Sequence, residues 1–164
     1  MPERGTTQRA KRKLRSGRSP STAAGEFVRE EMHHIREGKH GARSARQAIA
    51  IGLSKARRAG VPLRAPRTGS ARTRKSAARA YSEGQHHPRR KPSRTRSRAM
   101  LGALRREPHA AASHRALASQ AHAASVRRGS RARTAASRKA ARTKGPTLRR
   151  TAARKAAATR RKHA

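Results

Sequence analysis

Three histidines, His33, His34 and His40, lie among glutamates in one short stretch of the chain, and both side-chain types bind zinc. Their spacing differs from the zinc-protease pattern His-Glu-x-x-His, which places two histidines on one helical face. Neighbouring residues of a helix point about 100° apart, so His33 and His34 cannot easily face one metal ion. The sequence therefore favours no metal site, and it favours an ordinary pairing of Glu30 with His34, four residues later.

Motifs for other catalytic chemistry are missing from the sequence. No aspartate and no cysteine occurs among the 164 residues. Ser-His-Asp triads, aspartate-bound magnesium, thiol catalysis and disulfides are therefore excluded. Neither a phosphate-binding P-loop nor the paired-glycine dinucleotide fingerprint is present. We therefore expect a protein that is not an enzyme and that uses no cofactor.

The chain is strongly basic. It has 45 lysines and arginines against 7 glutamates, a net charge of +38 and an isoelectric point near 12.0. A charge of this size acts mainly on polyanions, among which nucleic acid is the commonest inside cells. Arginine outnumbers lysine, and its guanidinium can bind a phosphate with two hydrogen bonds. No apolar run approaches the roughly 20 residues of a membrane span, so we expect no membrane-spanning segment.

Large apolar side chains are scarce. Phe27 and Tyr81 are the whole complement of Phe, Tyr and Trp, and most of the 32% hydrophobic residues are alanine. High net charge with little apolar area is typical of disordered chains. We therefore predict a mostly disordered chain with some α-helix. Its ordered part is a small helical hairpin at about residues 20–60, and a basic Ala/Arg-rich tail becomes helical on binding.

Two helices with clear start and stop signals are predicted between residues 19 and 62. The first begins at Ser19, which precedes a proline, and ends before Gly38. The second begins at Ser44, which forms a capping box with the glutamine three residues later, and ends before Gly60. The hairpin has too little apolar area to fold alone, so we expect a second copy to cover it. The residues predicted for this self-association are Val28, Met32, Ile35, Ile49 and Leu53.

Composition divides the chain into four segments. They are a basic disordered arm (1–18), the helical hairpin module (19–62), a Pro/Gly/Ser/Arg linker (63–98) and a basic Ala/Arg/Lys-rich tail (99–164). Within the tail, Met100 and Leu104 predict a short helix. Gly129 and Gly145 interrupt the alanine-rich stretches that follow.

Clustered cations are predicted to bind nucleic-acid phosphates without reading the base sequence. A helix-turn-helix is disfavoured, because the connection over residues 38–43 is longer than the usual turn of that motif. The glutamates of the first hairpin helix are expected to form a surface that repels phosphate. The predicted nucleic-acid-binding residues are Arg43, Arg57, Arg58, Arg89, Arg90, Lys91, Arg127, Arg128, Arg138, Lys139, Arg149, Arg150, Arg154, Lys155, Arg160, Arg161 and Lys162.

The core of the chain, residues 25–61, resembles an uncharacterised family of small basic bacterial proteins, a domain of unknown function. The residues that carry the resemblance are 46–57, RQAIAIGLSKAR, and the EGKHG connection that precedes them. The resemblance covers about a quarter of the chain. It implies a bacterial origin and no established activity. The Ala/Arg/Lys tail is similar in composition to the tails of linker-histone-like bacterial proteins.

Together these features predict a non-enzymatic, nucleoid-associated, histone-like protein of the bacterial cytoplasm that binds DNA by neutralising phosphates. Its predicted partners are nucleic acid, with DNA favoured over RNA, and a second copy bound through the hairpin. An RNA- or ribosome-associated basic protein is the alternative with the same chemistry, although the few aromatic residues disfavour base stacking. A disordered stress protectant is the alternative from a different class.

Overall fold

Helices account for most of the chain. The computed structural model describes residues 2–87 and 93–162, and all of its regular structure in these ranges is helical. None of the helices described there is both long and apolar enough to cross a membrane. The prediction of a mostly disordered chain is therefore wrong. The helices are α1 (Arg4–Arg15), α2 (Pro20–Arg36), α3 (Ala45–Arg58), α4 (Ala71–His86), α5 (Arg94–Arg105), α6 (His114–Arg127) and α7 (Gly129–Lys162), with a 3₁₀ turn (His109–Ala112) before α6.

The predicted hairpin is confirmed as α2 and α3. The Ser19 hydroxyl accepts a hydrogen bond from the Thr22 N–H at 3.3 Å, and the Ser44 hydroxyl accepts one from the Gln47 N–H at 3.2 Å. The Gln47 side-chain oxygen accepts a hydrogen bond at 2.9 Å from the N–H of Arg43, the residue before the cap. Each helix ends before a glycine with positive φ, as the sequence predicts.

Other parts of the same chain cover the apolar faces of the hairpin. Helix α1 packs against α2 and places Ala10 in one apolar cluster with Phe27. On the other side, the 3₁₀ turn packs against α2 and α3, and with Leu117 it encloses Ile35. Phe27 and Ile35 are both fully buried. The hairpin therefore obtains its missing apolar contacts within the chain, which the sequence prediction assigned to a second copy.

Helix α4 forms within the predicted linker and packs against α3. Ser70 caps its N-terminus by accepting a backbone hydrogen bond at 3.2 Å. Its buried residues are small: Ala77, Ala80 and Gly84. A Cβ on Gly84 would overlap the carbonyl oxygen of Arg57, so the two helices are in backbone contact there. Close approach supplies the dispersion contacts that large apolar side chains supply elsewhere.

The chain divides into two compact units, residues 1–120 and 121–164. The first contains α1 to α5, the 3₁₀ turn and the start of α6. The second contains the end of α6 and α7, and none of its described side chains is buried. Its helicity follows from local preference, because alanine is the best helix former and outweighs repulsion among the cations. The predicted breaks are confirmed, since Gly129 and Gly145 both have positive φ.

Helices α2 and α3 are in close backbone contact at Gly52. A Cβ at this position would lie 2.7 Å from the Cα of Val28 and 3.1 Å from the carbonyl oxygen of Phe27. Backbone atoms cannot rotate away as the end of a side chain can. Any larger residue at position 52 must therefore push α3 away from α2.

We predict that Gly52→Ala lowers the free energy of unfolding by about 1–3 kcal/mol, the usual effect of overpacking. Gly25→Ala is the matched control, because no atom lies within 4 Å of its added Cβ. The control should raise stability by up to about 1 kcal/mol through helix propensity. Urea unfolding followed by circular dichroism measures both effects. Equal stabilities of the two variants would contradict the close crossing.

Candidate nucleic-acid interface

Most of the predicted phosphate-binding residues lie on α7 or directly before it. Lys162 ends α7, and its side chain lies outside the described residues, as do Arg89, Arg90 and Lys91. The other members of this group all have exposed side chains: Arg127, Arg128, Arg138, Lys139, Arg149, Arg150, Arg154, Lys155, Arg160 and Arg161.

Helix α7 carries 13 lysines and arginines and no acidic residue. Six of them lie in residues 131–144, which span about 20 Å of helix, or one charge per roughly 3.5 Å. Duplex DNA carries one phosphate per about 1.7 Å. Arg131 and Arg138 lie on one side of the helix, whereas Arg133 lies on the opposite side. The helix can therefore meet phosphates with more than one face.

Four threonine side chains turn back onto the backbone of α7. The hydroxyls of four threonines donate to the carbonyl oxygen four residues earlier, at 2.9–3.1 Å. Gly145, with φ of 66° and followed by Pro146, breaks the helix into two arms. These four hydroxyls are therefore engaged within the helix, and guanidinium and ammonium groups are the most numerous outward donors of each arm. The four threonines are Thr134, Thr143, Thr151 and Thr159.

The predicted arginines around α3 have different environments. Arg43 precedes the helix and Arg58 ends it, and both side chains are exposed. Arg57 is buried: its Nε donates to the Leu63 carbonyl oxygen at 3.0 Å, and its Nη2 donates to that of Arg64 at 3.4 Å. Burial lowers the pKa of Arg57 below its usual value. This guanidinium fixes the segment that follows α3 by binding its carbonyl oxygens. It is therefore not part of the candidate interface.

The structure adds exposed cations that the sequence prediction missed. One face of α4 packs on α3, and the rest of the helix is open to solvent. The sequence signal for this helix was its serine cap followed by small residues at helical spacing. The additional exposed cations on α4 are Arg72, Arg74, Lys75 and Arg79.

The five residues predicted for self-association lie in the first unit. Met32 and Ile35 are buried in the apolar cluster that includes the alanines of the 3₁₀ turn. Val28 and Ile49 are half-buried against the same cluster, and Leu53 is half-buried against the cluster that contains α1. Much of this apolar surface is thus used within the chain. Self-association itself stays a prediction.

Three of the seven glutamates, all on α2, are buried. Glu26 accepts hydrogen bonds from Arg9 Nε at 2.9 Å and from Lys13 Nζ, both on α1. Glu31 pairs with Lys55 Nζ on α3. The expectation that these glutamates form a phosphate-repelling surface is wrong, because their carboxylates face inward. The exposed cations therefore meet little competing negative charge.

The hydrogen bond from Lys13 is the main reason why the pKa of Glu26 lies below its ordinary value of 4.5. Desolvation opposes this shift, and the hydrogen bond from Arg9 adds to it. A pKa that folding lowers means that the pairing stabilises the fold above the unfolded-state pKa. That contribution is lost as the pH falls through the folded-state pKa of Glu26.

We predict that Glu26→Gln lowers the free energy of unfolding at neutral pH by about 1–2 kcal/mol. This loss of stability is near the low end of the range for hydrogen bonds to charged groups, because the side chains of Arg9 and Lys13 are partly exposed to water. Thermal unfolding should also lose part of its acid dependence in this variant. Glu37→Gln is the control, because that carboxylate is exposed and pairs with Lys39 at 2.9 Å. A similar loss of stability in the control would contradict the role of Glu26.

Comparison with known proteins finds no matching family model, no matching curated protein and no matching solved structure. The resemblance of residues 25–61 to a family of small basic bacterial proteins therefore stays a prediction. The chemistry of the chain has to be inferred from its own residues.

Proposed function

We propose that this protein is a non-enzymatic DNA-binding protein that neutralises backbone phosphates through α7 without reading base sequence. The observation that carries the proposal is the charge of α7, whose 13 cations face no acidic residue in the helix. Lysines and arginines that neutralise phosphates release condensed counterions, which drives binding that depends strongly on salt. The proposed site of action is the bacterial nucleoid, and its bacterial part rests on the family resemblance.

The composition and geometry of α7 support binding that is independent of sequence. Base reading in the major groove uses side chains aligned on one face, with Asn or Gln for adenine and Arg for guanine. Helix α7 contains no Asn or Gln, and its arginines point in several directions around the axis. Phosphate contacts position a protein on a duplex and carry no sequence information.

Duplex DNA suits the surface better than single-stranded nucleic acid does. Single strands are held largely by stacking their bases on aromatic side chains. Phe27 is fully buried, and Tyr81 is half-buried on α4. The surface therefore offers little for base stacking. The alternative of a disordered protectant loses its basis, because the described chain is helical.

A pair of charge-matched variants tests the proposal. In one, six cations of α7 become glutamine: Arg138, Lys139, Arg149, Arg150, Arg154 and Lys155. In the other, six exposed cations of the first unit become glutamine: Arg4, Lys11, Arg12, Arg15, Arg18 and Arg46. We predict that the α7 variant lowers the slope of log affinity against log salt by up to about 5, and the control by much less. Fluorescence anisotropy with a labelled duplex of about 20 base pairs measures both slopes.

Two results would count against this proposal. Equal losses of slope in the two variants would show that binding is spread over the whole surface and that α7 has no special role. Stronger competition by structured RNA than by duplex DNA of the same length would reassign the protein to RNA.

A further inference from the structure

Helix α2 and the loop after it bring Glu31, His34 and His40 together. Glu31 and His34 are three residues apart and share one face of the helix. His40 follows the turn at Gly38, which directs the loop back toward α2. One ligand atom from each of the three side chains lies within 4.8 Å of the other two. His33, the neighbour of His34 in sequence, is exposed and is not part of this cluster.

The hydrogen bonding of His40 determines which ring nitrogen faces the cluster. Its Nδ1 lies 3.0 Å from the carbonyl oxygen of Gly41, and a carbonyl can only accept. Nδ1 therefore carries the proton, which leaves Nε2 as an acceptor in the neutral ring. Nε2 lies 3.2 Å from Oε1 of Glu31, which is also an acceptor. Two acceptors at this distance require a cation or a proton between them.

The carboxylate of Glu31 is fully buried, and its two oxygens are treated differently. Oε2 pairs with Lys55, whereas Oε1 has no hydrogen-bond partner among the described residues. Buried polar atoms are almost always satisfied, because leaving one unpaired is costly. The unsatisfied oxygen therefore points to a group that completes its coordination, on the side that His40 occupies.

Nearby carboxylates orient the second histidine and add negative charge. Glu3 Oε1 lies 3.0 Å from His34 Nε2, and Glu30 Oε1 lies 3.9 Å from it. A metal-ligating histidine that donates its other ring N–H to a carboxylate is held in position and becomes more basic. Glu30 also has a buried oxygen without a hydrogen-bond partner among the described residues. This negative charge compensates part of the charge that a divalent cation would bring.

We propose that Glu31, His34 and His40 bind one Zn²⁺ ion, with a water molecule at the fourth position. Two imidazoles and one carboxylate form a ligand set that suits zinc. Ligand atoms around tetrahedral zinc are about 3.4 Å apart, and His40 Nε2 and Glu31 Oε1 already lie 3.2 Å apart. Bound zinc would tie the end of α2 to the loop that leads into α3.

The test is isothermal titration calorimetry, in which Zn²⁺ is added to the full chain after a chelator has removed bound metal. No nucleic acid is present. The wild-type chain should bind one ion. His34→Ala and His40→Ala should each lower the affinity roughly tenfold or more, since even second-shell changes cost that much. His33→Ala removes an adjacent exposed histidine outside the cluster and should leave the affinity unchanged. Tetrahedral absorption bands with Co²⁺ in place of zinc would report the expected geometry.

Each other outcome overturns the proposal. If a proton rather than a metal ion lies between His40 and Glu31, the wild-type chain does not bind one equivalent of zinc. If scattered surface histidines bind the ion, His33→Ala weakens binding as much as the other two variants do. Retained affinity in a folded His34→Ala or His40→Ala variant also excludes the site. Because His40 is buried, the result for His40→Ala is used only if the variant has the circular dichroism spectrum of the wild type. If it does not, the result for His34→Ala decides the test.

Discussion

The pairing of the α2 glutamates with cations from neighbouring helices is the interaction on which the rest of the structure depends. A chain with a net charge of +38 repels itself, and this repulsion opposes compaction. Glu26 forms ion pairs with two cations of α1, and Glu31 forms one with a lysine of α3. The helix that contributes Phe27 and Ile35 to the apolar clusters thus also supplies the negative charge that these neighbours need. Apart from Arg57, which is buried against backbone carbonyls, most of the other described cations have no acidic partner and are exposed.

Local signals made the hairpin predictable. Serine caps, glycine stops and large apolar residues at helical spacing all lie within a few residues of the structure that they specify. Helix α4 was missed because its buried residues Ala77, Ala80 and Gly84 have helical spacing but little volume, so a count of large apolar side chains overlooks them. Disorder in the tail was predicted from charge, whereas the alanine-rich sequence favours a helix without any core. Composition thus underestimated what backbone contact and helix propensity can supply.

The candidate interface divides in the same way. The charge of α7 is readable in the sequence, because it needs only a count of residues along one helix. The burial of Arg57 is not readable there, because it depends on the chain turning back after α3 to offer the carbonyls of Leu63 and Arg64. The approach of His40 to Glu31 likewise depends on the path of the loop between α2 and α3. Contacts made through a change of chain direction leave no periodic trace in sequence.

The absence of buried side chains among the described residues of α7 determines how freely its sequence can change. A helix that buries no side chain imposes no shape on its residues, so arginine can replace lysine, or a cation can move by one position, without disturbing any packing. The total charge and the helix propensity are the two properties that such changes must preserve. At Gly52, by contrast, a single methyl group already forces two helices apart. One chain therefore combines a segment that tolerates extensive sequence drift with a bundle in which single atoms matter.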